Sequence, residues 1–362
     1  MNLEEALKSI TPLDKVVMEE SQRRWDSIAK PLRSLGLLEE TIIKIAGMTG
    51  SSNVSLKKKA LVIMCADNGV VEEKVTQADS EVTRIVAENF TKEKTSVAIM
   101  AKLAGTDLYP VDIGMVSDTE EFLDEESEIK PLHVLKRKIS YGTKNLAKEP
   151  AMTREQAIKA IEIGINLAIE LKSKGYNIIA TGEMGIGNTT TSSAIASVLL
   201  DESVETVTGR GAGLSSKGLE RKIDAIKRGI EINKPNSKDA IDVLAKVGGY
   251  DIAGLVGVFI GGAVAKVPVV IDGFISAVAA LVAVKIEPLV IDYILPSHVS
   301  KEPAGNMLIE SLGLKPFITC EMCLGEGTGA VAVFPILNMA CEVYEKMSTF
   351  GDIEIEEYTP KV

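Results

Sequence analysis

The chain has 362 residues, of which 46% are hydrophobic and 25% are charged, proportions that are ordinary for a globular protein of one or two domains. Its 51 acidic residues outnumber its 40 basic residues and give a net charge of −11. This excess of negative charge disfavours nucleic acids and anionic membranes as partners, and any phosphate site must therefore be built locally.

The composition predicts a cytoplasmic protein. The N-terminus lacks the basic segment and following apolar segment of a signal peptide. The most apolar stretch, residues 251–284, is interrupted by Lys266, Pro268 and Asp272. It is therefore expected to form a buried helix, a strand and a second helix rather than a membrane span. Four cysteines in a chain of this length indicate a reducing compartment and no disulfide framework.

Helices and short apolar strands alternate along the first part of the chain. The residues up to about Gly47 have helical spacing of their apolar side chains, and residues 80–103 fit one long amphipathic helix. Residues 61–65 and 108–113 are short apolar runs typical of buried parallel strands. Residues 117–130 are acidic and aperiodic, which predicts a solvated loop.

The same alternation continues beyond this loop. Thr153 is expected to begin a helix, with Gln156 completing a capping box, and residues 189–200 to form another. Further strands are predicted at residues 177–180, 267–271 and 289–291. Alternating strands and helices predict an α/β fold in which helices cover both faces of a parallel sheet.

Polar residues stand at the predicted strand ends. The ends are Asp67 with Asn68, Asp112, residues 181–183, and Asp272 with Gly273. Ligands of such sheets bind beyond the carboxyl ends of the strands, so these residues together predict a polar cleft. For any single end, the ordinary preference of Asp and Asn for turns explains the residue equally well.

Residues 182–190 form a glycine-rich segment between a strand and a helix. Its backbone N–H groups and the helix N-terminus suit an anion. Asn188 stands where a triphosphate-binding loop has lysine, and the spacing is not that of a dinucleotide-binding fingerprint. The hydroxyls of Thr189 and Thr190 fit a monophosphate better. Taken alone, a tight turn without a ligand explains the segment as well.

Two more glycine clusters precede helices. Residues 208–213 contain Arg210, which could bind a phosphate or be an ordinary surface arginine. Lys222, on the following helix, would by default face solvent. Residues 324–329 place Glu326 between two glycines before an apolar helix. Glycine neighbours allow a substrate to approach this carboxylate closely, and we prefer this interpretation to that of a helix-capping acid.

A metal centre is not expected. Cys320 and Cys323 have the spacing of metal ligands, but a zinc site needs about four ligands and no second pair accompanies them. The chain has only two histidines, His133 and His298. His298 follows a predicted strand and could be a site residue or a turn residue.

Seven segments, in order along the chain, resemble the nicotinate-nucleotide–dimethylbenzimidazole phosphoribosyltransferase family of cobalamin nucleotide-loop assembly. They are residues 66–71 with 81–83, 182–190, 209–213 with 218–223, 248–253, 267–275, 297–298 with 302–303, and 324–330. The resemblance extends from about residue 60 to residue 350.

This resemblance implies a Rossmann-like sheet and a small helical lobe formed by residues 1–50 and about 300–362, with residues 51–300 as the large domain. It also implies a homodimer, although some relatives pair with a homologous subunit. The implied reaction transfers ribose phosphate from nicotinate mononucleotide to an aromatic base without a cofactor or metal.

The resemblance also assigns residues to the site. It implies that Glu326 is the catalytic base and that Ser300 could reach in from a neighbouring subunit. The other implied substrate-binding residues are Ser80, Glu183, Gly185, Ile186, Gly187, Asn188, Thr189, Thr190, Gly209, Arg210, Gly211, Lys222, Asp272 and Gly325.

Two segments depart from the family pattern. Asp79 and Ser80 stand where proline and glutamine are usual, beside the implied acceptor pocket, and residues 302–305 lack a second histidine. Ser80 could admit benzimidazole, adenine or a phenol in place of dimethylbenzimidazole. Two other classes of protein fit less well: a nucleotide sensor would not need Glu326 between glycines, and an NAD-dependent dehydrogenase would need a fingerprint that is absent.

Overall fold

The computed structural model describes residues 1–119 and 133–358. The predicted acidic loop at residues 117–130 lies mostly outside these described residues. The strands are β1 Lys59–Ala66, β2 Thr106–Gly114, β3 Leu135–Lys136, β4 Ile178–Met184, β5 Val269–Val270 and β6 Ile294–Leu295. Short 3-10 helices occur at Gly69–Glu73, Pro288–Tyr293 and Gly351–Ile353.

Helices connect the strands and form both ends of the described chain. The first ten are α1 Leu3–Ser9, α2 Lys15–Ser27, α3 Leu37–Thr49, α4 Glu81–Thr91, α5 Ser96–Ala104, α6 Arg154–Ser173, α7 Asn188–Leu200, α8 Val204–Val207, α9 Ser216–Asn233 and α10 Ala240–Val247. The others are α11 Tyr250–Ala265, α12 Phe274–Ile286, α13 Gly305–Ser311 and α14 Thr328–Lys346. The capping box predicted at Thr153 is present at the start of α6.

The strands form one parallel sheet in the order β3-β2-β1-β4-β5-β6. The central strand β1 is buried along its whole length, as a strand covered on both faces must be. The predicted α/β fold with a parallel sheet is therefore confirmed. Since all strands point the same way, their carboxyl ends meet at one edge.

Glycines allow helix α11 to pack closely against helix α6. It packs against α6 and against β1, β2 and β4. A Cβ atom on Gly164 of α6 would lie 2.7 Å from the backbone nitrogen of Val258, and one on Gly257 would lie 2.9 Å from Cα of Gly164. Only glycine fits at these positions, and the close packing fixes the N-terminus of α11 beside the carboxyl edge of the sheet.

The single helix predicted at residues 80–103 is wrong in one respect, because two helices occupy this stretch. Helix α4 ends at Thr91, the backbone of Glu93 is left-handed with φ +54°, and Thr95 caps α5 by accepting a hydrogen bond from the Ala98 amide at 3.2 Å. The N-cap at Thr95 stabilises a new helix N-terminus, so α5 begins separately from α4.

The predicted strand at residues 289–291 is also wrong. Pro288 and Glu287 begin a 3-10 helix there, with the Glu287 carboxylate accepting from the Leu289 amide at 3.1 Å, and the strand comes directly afterwards as β6. Strand β5 has only two of the five residues predicted, whereas β4 extends beyond Ala180 to Met184. Glu183 consequently lies within a strand rather than in a turn.

The two ends of the described chain meet. Helix α3 packs against α2 and α14, and Ile28 forms an isolated antiparallel bridge with Thr349. The division into a large domain and a small helical lobe stays a prediction. Within residues 1–119 and 133–358, no helix combines the length and apolar character needed to cross a membrane.

Candidate active site

A cleft of about 330 Å³ lies at the carboxyl ends of β4 and β5. Its walls come from the end of β4 and the start of α7, from Gly211 and Ala212, from residues 272–276, from the segment after β6, and from residues 323–326. This is the edge of the sheet at which the strand ends predicted a polar cleft.

Ten of the predicted site residues line this cleft: Glu183, Gly185, Ile186, Asn188, Thr189, Gly211, Asp272, Ser300, Gly325 and Glu326. Ser300 does so within its own chain. Six others are not among the lining residues: Ser80, Gly187, Thr190, Gly209, Arg210 and Lys222.

The loop that carries Glu326 has a left-handed backbone at three successive residues. The angle φ is +88° at Gly325, +62° at Glu326 and +96° at Gly327. A residue other than glycine is strained there, and such strain concentrates at functional sites. The loop lies directly on β4, because a Cβ atom on Gly182 would come 2.5 Å from the Glu326 carbonyl oxygen.

Asp272 anchors this loop to the end of β5. Its carboxylate accepts hydrogen bonds from the backbone amides of Gly327 at 3.1 Å, Gly329 at 2.7 Å and Ala330 at 3.2 Å. These amides belong to the first turn of α14, where a negative charge also suits the helix dipole. Asp272 therefore holds the loop in place with both of its oxygens.

Glu326 is half-buried, and its Oε2 atom is buried without a hydrogen-bond partner among the described residues. Burial raises the pKa of the Glu326 carboxyl, the Val97 backbone amide lowers it, and the charge of Asp272 raises it. Val97 lies in the first turn of α5, so the unpredicted break between α4 and α5 brings a helix N-terminus to this carboxylate. A carboxylate with a raised pKa and an unoccupied oxygen is suited to accept a proton.

His298, which the sequence left undecided, is a cleft residue. It is 4% exposed, and its Nδ1 lies 3.1 Å from the Ser297 hydroxyl. Burial lowers the pKa of His298, and the negative charge of Asp272 opposes this change. We assign it the neutral form, in which it packs against Gly329 and supports the first turn of α14.

Lys222 is fully buried behind the cleft rather than facing solvent. Its ammonium donates hydrogen bonds to the Thr189 hydroxyl at 2.9 Å and to the Gly209 carbonyl at 3.0 Å. Burial lowers the pKa of Lys222 to about 8, and the negative charge of Glu302 opposes this shift. Because an ammonium has three N–H donors, the two bonds to described residues leave one donor of Lys222 beyond these contacts.

Arg210 is turned towards its own loop. Its guanidinium donates to the Leu214 carbonyl at 2.7 Å and to the Ser216 hydroxyl at 3.2 Å. The next residue, Gly211, has φ +53° and packs on Thr189, where an added Cβ would lie 2.9 Å from the hydroxyl. Arg210 thus shapes the loop that closes one wall of the cleft.

Sequence reasoning missed the apolar wall of the cleft, which consists of Val86, Met184, Phe274, Ile275 and Leu324. Such residues resemble core residues in a sequence, so no local signal distinguishes them. Val86 lies on α4, whereas Ser80 precedes that helix and makes no side-chain capping bond. A cleft that combines these apolar side chains with polar loops suits a flat aromatic ring.

The described part of the chain contains no group of three or more His, Cys, Asp or Glu side chains that could hold a metal ion. Cys320 and Cys323 are both exposed free thiols, and Cys323 lines the cleft.

Replacing Gly182 by alanine should displace the Glu326 loop and lower activity strongly, with a stability loss of roughly 1–3 kcal/mol from overpacking. The reason is the 2.5 Å approach to the Glu326 carbonyl. Urea unfolding and steady-state rates would measure both effects. Gly351→Ala is the matched control, since its Cβ would meet nothing closer than 3.8 Å. Wild-type activity in Gly182→Ala would contradict the packing described.

Known proteins match the chain over nearly its whole length. The family model described as "Phosphoribosyltransferase" matches residues 10–355. The nicotinate-nucleotide–dimethylbenzimidazole phosphoribosyltransferase of Acetivibrio thermocellus is 51% identical over 99% of both chains, and that of Ruminiclostridium cellulolyticum is 50% identical over 99% of both. The crystal structure of CobT from Thermus thermophilus superposes with a TM-score of 0.87 at 36% identity, covering 95% of this chain and all of that one.

Both the family model and the full-length relatives span the cleft and the loops that form it. The chain therefore belongs to the family of nicotinate-nucleotide–dimethylbenzimidazole phosphoribosyltransferases.

Proposed function

We propose that this protein transfers the phosphoribosyl group of nicotinate mononucleotide to 5,6-dimethylbenzimidazole or a related aromatic base, giving an α-ribazole-type 5′-phosphate for the lower ligand of cobamides. The observation that carries the proposal is the half-buried Glu326, which lines the cleft and whose Oε2 atom has no hydrogen-bond partner among the described residues; the same cleft is lined by apolar side chains and by a glycine-rich loop at a helix N-terminus. The relatives carry this activity in their names.

The two substrates fit different parts of the cleft. The phosphate suits Gly185, Ile186 and Thr189, at the N-terminus of α7, with the Lys222 ammonium behind the Thr189 hydroxyl. The flat acceptor base suits the apolar wall near Val86 and Leu324. Holding both substrates in one orientation supplies a large part of the rate acceleration.

The chemistry requires the transfer of one proton. A ring nitrogen of the acceptor attacks C1′ of the ribose, the bond from C1′ to the nicotinate nitrogen breaks, and nicotinate leaves with the electron pair. Its ring nitrogen is cationic in the nucleotide, so it is a good leaving group. The acceptor loses its N–H proton to Glu326, and one positioned carboxylate suffices for this step.

The acceptor preference of the protein and its oligomeric state can be inferred in the same way. Ser80 precedes α4, which contributes Val86 to the apolar wall, so this helix is where acceptor preference would be set. We expect a homodimer, as the family resemblance implies.

Release of nicotinate by the purified protein tests the proposal. Separate assays with 5,6-dimethylbenzimidazole, adenine and p-cresol should show release only when an acceptor is present, and the fastest acceptor identifies the preferred base. If the protein binds nicotinate mononucleotide but releases nicotinate with none of them, the transferase assignment fails and a binding role replaces it.

A further inference from the structure

The side-chain amide of Asn188 joins two carboxyl groups. Its Nδ2 atom donates one hydrogen bond to Oε2 of Glu183 and another to Oδ2 of Asp251, the latter at 3.0 Å. Glu183 and Asn188 line the cleft, whereas Asp251 lies behind them in the first turn of α11. The amide of Asn188 is therefore directed inwards, away from the position expected for a phosphate ligand.

Asp251 is a buried acid, and two glycines lie beside its carboxyl group. It is 0% exposed, and its Oδ1 has no hydrogen-bond partner in the part of the chain that the structure describes. A Cβ atom on Gly249 would lie 2.5 Å from Oδ1, and one on Gly185 would lie 2.7 Å from Oδ2. Burying a carboxyl group with an unpaired oxygen is costly, so its presence calls for a role other than packing.

Glu183, which accepts a hydrogen bond from Asn188, also lies next to the loop that carries Glu326. A Cβ atom on Gly325 would lie 2.5 Å from Oε1 of Glu183, so this oxygen faces the loop that carries Glu326. The two oxygens of Glu183 thus have different neighbours, with Oε2 bonded to Asn188 and Oε1 directed at the cleft.

We propose that Asp251 is a positioning residue of the transferase site: through Asn188 it fixes the orientation of the Glu183 carboxyl, so that Oε1 presents a hydrogen bond to the substrate beside Glu326. This inference rests on the proposed function for its catalytic meaning. The geometric part of it, an Asp251–Asn188–Glu183 relay, holds for the protein without substrate.

Burial and the neighbouring acidic groups keep Glu183 protonated. Asp251 faces it from α11, Asp272 from the end of β5, Glu326 from the loop before α14, and the thiol of Cys65 lies nearby in β1. Burial raises the pKa of Glu183 to about 8, with Asp251 adding to the rise and the Asn188 amide opposing it. At neutral pH the carboxyl consequently holds a proton and can donate from Oε1.

Infrared difference titration measures this link directly. The C=O band of protonated Glu183 is assigned by its loss in Glu183→Gln, and its midpoint is followed with pH in each variant. Removing the negative charge in Asp251→Asn should lower the midpoint by about one pH unit or more. Removing the amide in Asn188→Ala should raise it, because Asn188 stabilises the ionised form. Opposite shifts are expected only if both residues act on Glu183.

Asp112→Asn is the matched control. Asp112 is a buried acid at the same edge of the sheet, but its carboxylate accepts from the Met115 amide at 3.0 Å and pairs with Lys138. Its substitution should leave the Glu183 midpoint unchanged in the same titration. Circular dichroism checks that the Asp112→Asn variant is folded.

Activity gives the second readout. At saturating substrates and pH 8, kcat of Asp251→Asn should fall severalfold, and this loss should diminish at lower pH where Glu183 is protonated again. An unchanged Glu183 midpoint in folded Asp251→Asn overturns the inference; if that variant does not fold, an unchanged midpoint in Asn188→Ala does so. The band is recorded without substrates. The titration result can therefore be interpreted even if the protein shows no transferase activity.

Discussion

Replacing Glu326 by glutamine should lower kcat by about 100- to 10,000-fold, the range of general-base assistance, while the affinity for nicotinate mononucleotide stays nearly unchanged. Glutamine keeps the shape of the side chain but cannot accept the proton of the acceptor. Ground-state binding should persist because the residues proposed to bind the phosphate, Gly185 to Thr189, belong to a different loop from Glu326.

Nicotinate release and calorimetric titration with nicotinate mononucleotide measure the two quantities separately. Glu321→Gln is the matched control, since Glu321 lies five residues earlier, is exposed and pairs with Lys301 at 3.1 Å. Its kcat should equal that of the wild type. A Glu326→Gln variant with an unchanged rate would show that another group takes the proton.

The pH dependence of the wild-type rate follows from the same carboxylate. Burial raises the pKa of Glu326, so its basic form is lost at a higher pH than for an exposed glutamate as the solution is acidified. The acidic limb of the rate profile should therefore lie above the usual glutamate range.

The sequence could predict the chemical parts of the site because they depend on residue types that have few other uses. A glutamate between glycines at 325–327 and a glycine-rich turn at 185–187 both signal close backbone approach, and the structure brings the two segments to one cleft. Asp272 was predicted as a site acid, but its three bonds to backbone amides depend on how α14 begins beside β5. Such a contact has no local signature.

What the sequence could not predict depends on tertiary packing. Asp251 looks like an ordinary acid at a helix start, and only the approach of α11 to α7 pairs it with Asn188. The break between α4 and α5 contains Lys92, Glu93 and Lys94, residues that favour helix. The helical periodicity of the sequence therefore predicted one continuous helix over residues 80–103. The short strands β5 and β6 have two residues each, too few for a period-2 pattern to locate.

Replacing Lys222 by methionine should weaken the binding of nicotinate mononucleotide by roughly 10- to 150-fold, which corresponds to about 1.5–3 kcal/mol for a hydrogen bond to a charged group. Methionine is similar in length and suits the fully buried position, but it supplies neither charge nor N–H donors. The lost contacts are those to Thr189 and Gly209, together with the one proposed to the phosphate.

Binding of nicotinate mononucleotide and of nicotinate riboside, which lacks the phosphate, separates this role from a general loss of structure. Lys222→Met should weaken only the nucleotide, and Lys217→Met, an exposed lysine at the start of the same helix, should weaken neither. The pKa of Lys222 is lowered to about 8, so its positive charge is lost as the pH rises through that value. Wild-type affinity for the nucleotide should therefore fall above pH 8, and that of Lys222→Met should not. Equal losses for the nucleotide and the riboside would place Lys222 in the structural support of the α9 segment rather than at the phosphate.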